Sequence, residues 1–241
     1  MPSKNILKQY LENGYYHIYN RGVEKRVIFQ DSQDYKVFLS YLKDYLTPID
    51  KISLRKTLLN TFYNRKDKII KKIAMNNFSN RISLLAYCLM PNHFHLLIKQ
   101  KNERGIENFM KSLGTRYVMY FNKRNKRTGG LFQGRYKAVL IDSDEQLLEL
   151  SRYIHTNPKP YKGRIFLEYP YSSIHAYLGK WKAEWLKPEE ILDFFSKTNK
   201  NNSYKSFVID KRIERESFEL IANLVIEQGR TFKDGPLWAC R

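Results

Sequence analysis

His93 and His95 are the residues whose types and spacing offer chemistry most directly. They follow Pro91-Asn92, a two-residue turn signal between the apolar run Ile82–Met90 and the stretch Leu96-Leu97-Ile98. That pattern predicts two adjacent strands. Residues two apart on a strand point to one face, so the two imidazoles stand side by side while Phe94 turns into apolar packing. Paired imidazoles on a rigid element are a seat for a divalent metal. The spacing fits equally well a pair of core histidines satisfied by backbone carbonyls.

Tyr153 and Asn157 add a second feature. They lie four apart in a predicted helix, 143–157, and so share a face. If that face covers the histidine strand, Asn157 Oδ1 supplies a third metal ligand and the Tyr153 phenol lies beside the metal. Polarisation of a phosphate oxygen would then let an aligned phenoxide attack phosphorus. A packed helix tyrosine is the competing reading, because the chain holds 18 tyrosines. Tyr117, Tyr120 and Tyr136 are rival nucleophiles, but none has a ligand-type partner placed as Asn157 is. His17 and His155 are further ligand candidates; His155, two residues from Tyr153 on a helix, points roughly the other way.

The elements that must position these groups are legible as patterns. Tyr15–Tyr19 alternate as a strand ending at the turn Asn20-Arg21-Gly22. Asp31, Ser32 or Asp34 caps a helix with Tyr35, Phe38, Leu39, Leu42 and Leu46 at helical spacing, closed by Pro48. Residues 51–80 read as a basic, helical insert. A helix from about Gly105 to Asn122 follows the strand pair 82–90 and 93–99. Lys123–Arg127 and the pair Gly129-Gly130 form a basic flexible loop, and Tyr136–Ile141 read as a strand. Asp142 or Ser143 caps the helix ended by Pro158. Helical patterns recur at 171–178, 188–196 and 214–228, the last after a polar linker, 197–202. This order predicts an α+β fold with an antiparallel sheet and helices on one face, the other face being left for a site.

Composition narrows the partner. Lys and Arg number 43 against 24 Asp and Glu, a formal net charge of +19 over 241 residues, which points to a polyanion and most often to nucleic acid. No stretch approaches the ~20 apolar residues that span a bilayer, so no membrane partner is expected. Met1–Asn5 carry no signal-peptide apolar region, and the expected location is the cytoplasm, in association with the nucleoid. Two cysteines, Cys88 and Cys240, exclude a four-thiolate zinc site within one chain. Arg124, Lys126, Arg127 and Arg135 are the candidate DNA-binding residues, as clamps on the phosphate backbone; surface solubility is the alternative.

The stretch Ala86–Leu97, with Pro91-Asn92-His93-Phe94-His95 inside it, closely resembles the signature of the single-tyrosine HUH transposases, and more narrowly the REP-associated tyrosine transposase branch. Gly130–Tyr136 is similar to that branch's glycine–aromatic–Gln–x–Arg–aromatic segment. Arg152–Pro158 resembles its catalytic helix, and Tyr16–Gly22 its first strand. The resemblance spans about residues 12–178. It implies a ferredoxin-like antiparallel sheet with flanking helices (HUH endonuclease-like), with a C-terminal helical extension: a catalytic domain, 1–180, carrying the insert 51–80, then 181–241. It further implies that His93, His95 and Asn157 are metal ligands and Tyr153 the nucleophile. The implied activity is cleavage of single-stranded DNA at or near hairpins through a 5′-phosphotyrosine, reversed to rejoin strands without ATP. Two imidazoles and an amide oxygen suit Mn²⁺ well and Mg²⁺ acceptably. The resemblance leaves monomer and homodimer open. The chain departs from the family's pattern at Lys159-Pro160-Tyr161, where a small apolar residue is usual, and in the length of the insert 51–80.

The principal competing function is a hairpin-binding protein of the same fold that does not cleave. A sheet-based RNA binder gives no reason for the histidine pair, and a plasmid relaxase or replication initiator would be larger or carry more domains.

Overall fold

The computed structural model describes residues 10–49, 77–158, 166–210 and 214–225. Most of the insert 51–80, the departure Lys159-Pro160-Tyr161 and the end of the expected 214–228 helix lie outside these residues.

The described chain opens with β1 (Tyr15–Arg21), which runs through Arg21 where the sequence predicts a turn. Its pairing with the histidine strand extends to Arg21 opposite His93. Helix α1 (Ser32–Leu46) is capped by Asp31, whose carboxylate accepts the Gln33 and Asp34 amides. Strands β2 (Ile82–Met90) and β3 (His93–Gln100) flank the Pro91-Asn92 turn, and α2 (Gly105–Arg124) follows. Then come β4 (Lys137–Ile141) and α3 (Asp144–Thr156), the latter capped by Ser143 Oγ on the Gln146 amide. The remaining helices are α4 (Ile174–Tyr177), α5 (Glu189–Leu192), α6 (Tyr204–Ile209) and α7 (Glu214–Val225).

The strands form one antiparallel sheet of order β2-β3-β1-β4. With α1 and α2 as the two crossovers this is a ferredoxin-like βαββαβ arrangement. Helices α1 and α2 cover one face, where Phe38, Leu42, Leu113 and Tyr117 pack on Ile18, Phe94, Leu96 and Ile98.

The second face is not left open, contrary to the expectation of helices on one side. Leu147, Leu150 and Ile154 of α3 pack there against Cys88 and Leu97, together with Ile191, Tyr204, Val208, Ile221 and Leu224. The reason is visible in β2 and β3, which are buried on both faces along most of their length and need apolar cover on each. Among the described residues no helix is long and apolar enough to cross a membrane.

Candidate active site

The register of the sheet sets out the second face row by row. Cross-strand partners share a face, so His93 stands between Met90 and Arg21, and His95 between Cys88 and Tyr19. The next row holds Leu97, His17 and Val139. His17 and His95 are therefore diagonal neighbours. Their rings stack at 5.1 Å and 18°, and His17 Nε2 lies 2.9 Å from His95 Nδ1.

Hydrogen bonding fixes which nitrogen carries each proton. The Leu224 carbonyl of α7 lies 2.8 Å from His17 Nδ1 and can only accept, so Nδ1 is the protonated nitrogen of a neutral His17. Burial drives the His17 pKa down to about 4, against the opposing pull of that carbonyl, so the ring is neutral at pH 7. His17 Nε2 then accepts from His95 Nδ1–H. His95 is left with a bare lone pair on Nε2, and this buried atom has no hydrogen-bond partner among the described residues. Burial, and then the neighbouring His93 and His17, hold the His95 pKa well below its usual value. Neutral imidazole is the form that binds metals.

His93 is arranged in the same sense by a different neighbour. Asn92 Nδ2 donates to the Lys25 carbonyl at 3.4 Å, which turns Asn92 Oδ1 toward His93 Nδ1 at 2.6 Å. His93 Nδ1 thus carries the proton. Its Nε2 faces Asn157 Oδ1 at 3.3 Å.

Helix α3 brings the remaining groups. Asn157 is its C-cap, still in right-handed helical conformation, so the shared face with Tyr153 persists to the end of the helix. The Tyr153 ring lies edge-on to His95 at 5.6 Å and to His17 at 6.4 Å. Inside the helix, His155 is a fully buried hub: Nδ1 contacts Tyr204 Oη at 2.6 Å and Nε2 contacts Ser173 Oγ at 2.7 Å. Burial takes its pKa down to about 3. His155 therefore serves α3 as an anchor and faces away from the imidazole pair. Arg152 lies over the Phe207 ring at 3.8 Å and reaches Glu149 at 3.3 Å.

The structure thus brings His93, His95, Asn157 and Tyr153 together. Among the described residues no group of three or more His, Cys, Asp or Glu side chains could hold a metal ion, so the donor set here is two imidazoles and an amide. The orphaned His95 Nε2 and the facing pair His93 Nε2 and Asn157 Oδ1 are lone-pair donors of the kind a divalent cation needs, and the residues present fit one.

The candidate DNA-binding residues separate. Arg124 is tied to Asp31 and to the buried Asp34, and its charge is spent on joining α2 to the start of α1. Arg127 donates to Asn122 Oδ1 at 2.6 Å and to the Gly130 carbonyl at 3.0 Å, fastening the basic loop. Lys126 is exposed. The Arg135 side chain is 82% exposed, with Glu107 3.8 Å away.

Arg21 is the residue that the motifs alone passed over. It faces the site beside His93 by register, and its Nε donates to Gln133 Oε1. The Gln133 amide in turn donates to the Arg21 carbonyl at 2.8 Å. The signal that could have found it is the similarity of Tyr16–Gly22 to a family first strand, followed two residues past the tyrosine.

Residues 49–157 match the model of the family described as Transposase IS200 like. The match takes in less than half of the 241-residue chain. A Haemophilus influenzae protein named as a REP-associated tyrosine transposase is 30% identical over 102 residues, with 38% of this chain and 58% of the relative covered. The chain thus spans little more than half of that curated relative's length. A solved structure of a REP-associated tyrosine transposase bound to a REP hairpin aligns over 83% of this chain and 97% of its own, at 12% identity and a TM-score of 0.46. A second solved structure, a transposase by its description, from Deinococcus radiodurans, covers 63% of this chain and 95% of its own at 15% identity and a TM-score of 0.34. The IS200-like segment contains His93, His95, Tyr153 and Asn157; His17, Arg21 and Leu224 lie outside it.

Proposed function

We propose that this chain is a metal-dependent single-strand DNA endonuclease and strand transferase, a transposase acting at or near DNA hairpins. The observation that carries the reading is the grouping of three donor side chains, His93, His95 and Asn157, beside the Tyr153 ring. The family of residues 49–157 supports it, and the sequence resemblance supplies the hairpin.

His93, His95 and Asn157 would hold a divalent cation, Mn²⁺ or Mg²⁺, whose chemistry here is Lewis-acid polarisation of a non-bridging phosphate oxygen. Tyr153 Oη attacks phosphorus, forming the P–Oη bond as the P–O3′ bond breaks. The phenol proton passes to solvent and the departing 3′-oxygen gains one, which leaves a 3′-OH and a 5′-phosphotyrosine. The reverse attack by a 3′-OH restores a phosphodiester and frees Tyr153. The phosphotyrosine conserves the bond energy, so rejoining needs no nucleotide. Helix α3 supplies the orientation, since Tyr153 rides on an element anchored through His155 to Ser173 and Tyr204. Arg21, facing the site beside His93, is placed to meet phosphate, as is the exposed Arg135.

The test is covalent trapping. Labelled single-stranded hairpin DNA from the repeats flanking the gene is incubated with the protein and Mn²⁺ or Mg²⁺, then resolved on a denaturing gel. An adduct that is absent with Tyr153→Phe and with EDTA is expected. Tight hairpin binding with no adduct would replace the enzyme reading by that of a non-cleaving DNA-binding protein.

A further inference from the structure

We propose that His17 is a positioning residue for the candidate metal site: it accepts Nδ1–H of His95 and so holds His95 Nε2 as a bare lone pair toward the cation. The inference rests on the metal-dependent reading of the site. It makes β1 and the helix α7 working parts of that site, although both lie outside the IS200-like segment.

Three observations carry it. The hydrogen-bond chain Leu224 O, His17 Nδ1, His17 Nε2, His95 Nδ1 is continuous, with spacings of 2.8 and 2.9 Å, and every link is buried. Each link leaves the next a single role, because a carbonyl only accepts and a neutral imidazole donates through one nitrogen and accepts through the other. The chain ends on His95 Nε2, a buried atom without a hydrogen-bond partner among the described residues. A relay of this kind that ended on nothing would be a cost to the fold. One that ends on a cation fixes ring orientation and raises ligand basicity. The rings are also held against rotation, with Tyr19 at 4.8 Å from His17 and 6.0 Å from His95.

The carbonyl that starts the relay belongs to α7 (Glu214–Val225). Without His17, His95 would be free to exchange its proton between its two nitrogens, and the Nε2–H form would turn a hydrogen toward the cation.

The experiment reads the tautomer directly, in metal-free protein. Long-range ¹⁵N–¹H spectra of the imidazoles distinguish Nδ1–H from Nε2–H. Wild type is expected to show His95 as Nδ1–H, and His17→Phe to lose that form. In His17→Gln the amide oxygen can still accept, so the Nδ1–H form is expected to persist. Calorimetric titration with Mn²⁺ should give binding weaker by about 10–100-fold in His17→Phe, with His17→Gln near wild type.

A folded His17→Phe variant that keeps both the tautomer and the affinity overturns the proposal. If His17→Phe does not fold, wild type and His17→Gln decide: an Nε2–H His95 in wild type overturns it on its own. A wild-type chain with His95 as Nδ1–H that takes up no Mn²⁺ overturns the metal-dependent reading and supports the tautomer relay alone.

Discussion

His93 Nε2 and Asn157 Oδ1 lie 3.3 Å apart. A cation taken up there would draw on a lone pair of each. Asn157→Ala is therefore expected to weaken Mn²⁺ binding by about tenfold or more while leaving the melting temperature close to wild type, because Asn157 is half-buried at a helix end. Titration calorimetry and a thermal melt on one preparation check both halves. The arginines part in the opposite way. Arg124→Ala strands the buried Asp34 carboxylate and should lower the melting temperature, because a buried charge loses its partner. Arg135→Ala should leave the melt unchanged and reduce the slope of log K against log salt for single-stranded DNA by about 0.7, the loss of one phosphate contact. Filter binding across a salt series separates the two residues, which share a type and a basic neighbourhood in the sequence.

At the scale of elements, α3 decides where the chemistry can occur. Its Ser143 cap can be removed without touching the site, and Ser143→Ala should cost about 1 kcal/mol in urea unfolding. The strand pair 82–90 and 93–100, the capped helix after Asp31 and the helix carrying Tyr153 and Asn157 were all legible, because each is written in a local period of apolar residues with a turn or cap beside it. Helix α6 was passed over: at six residues, Tyr204–Ile209, it is too short for a helical period to stand out from the polar linker before it. The covering of the second face was also illegible. It depends on Ile221 and Leu224 joining one buried cluster with Leu97 and Cys88, an assembly of distant segments that no local window contains. The same is true of His17. Its alternating strand was plain, but its role follows from the register that sets it diagonal to His95, and from a carbonyl supplied by another element. The separation of Arg124 from Arg135 likewise rests on Asp31 and Asp34, far back in the chain.

The molecule as a whole carries buried neutral imidazoles, and these set its response to acid. His17 has its pKa lowered to about 4 and His155 to about 3, both by burial, against roughly 6.5 in an unfolded chain. The unfolded state therefore binds more protons than the folded state throughout that interval. Stability is fully present above about pH 6.5 and is lost as pH falls toward 4 and 3, by about 1.4 kcal/mol per pH unit for each histidine. Urea midpoints at pH 7 and pH 5 should show the loss, and His155→Gln, less stable at pH 7, should lose less between the two.

The bond from His17 to the Leu224 carbonyl joins residues 207 positions apart in the chain. During synthesis at roughly 5–20 residues per second, about 10–40 s pass between the appearance of one partner and the other. For that interval β1 has left the ribosome and α7 has not, so His17 has no carbonyl to orient it and His95 no fixed tautomer. A nascent chain, or a product truncated before α7, would then hold the histidine pair and the tyrosine without the lock that sets them. The candidate site would in this way be set only once α7 has been made.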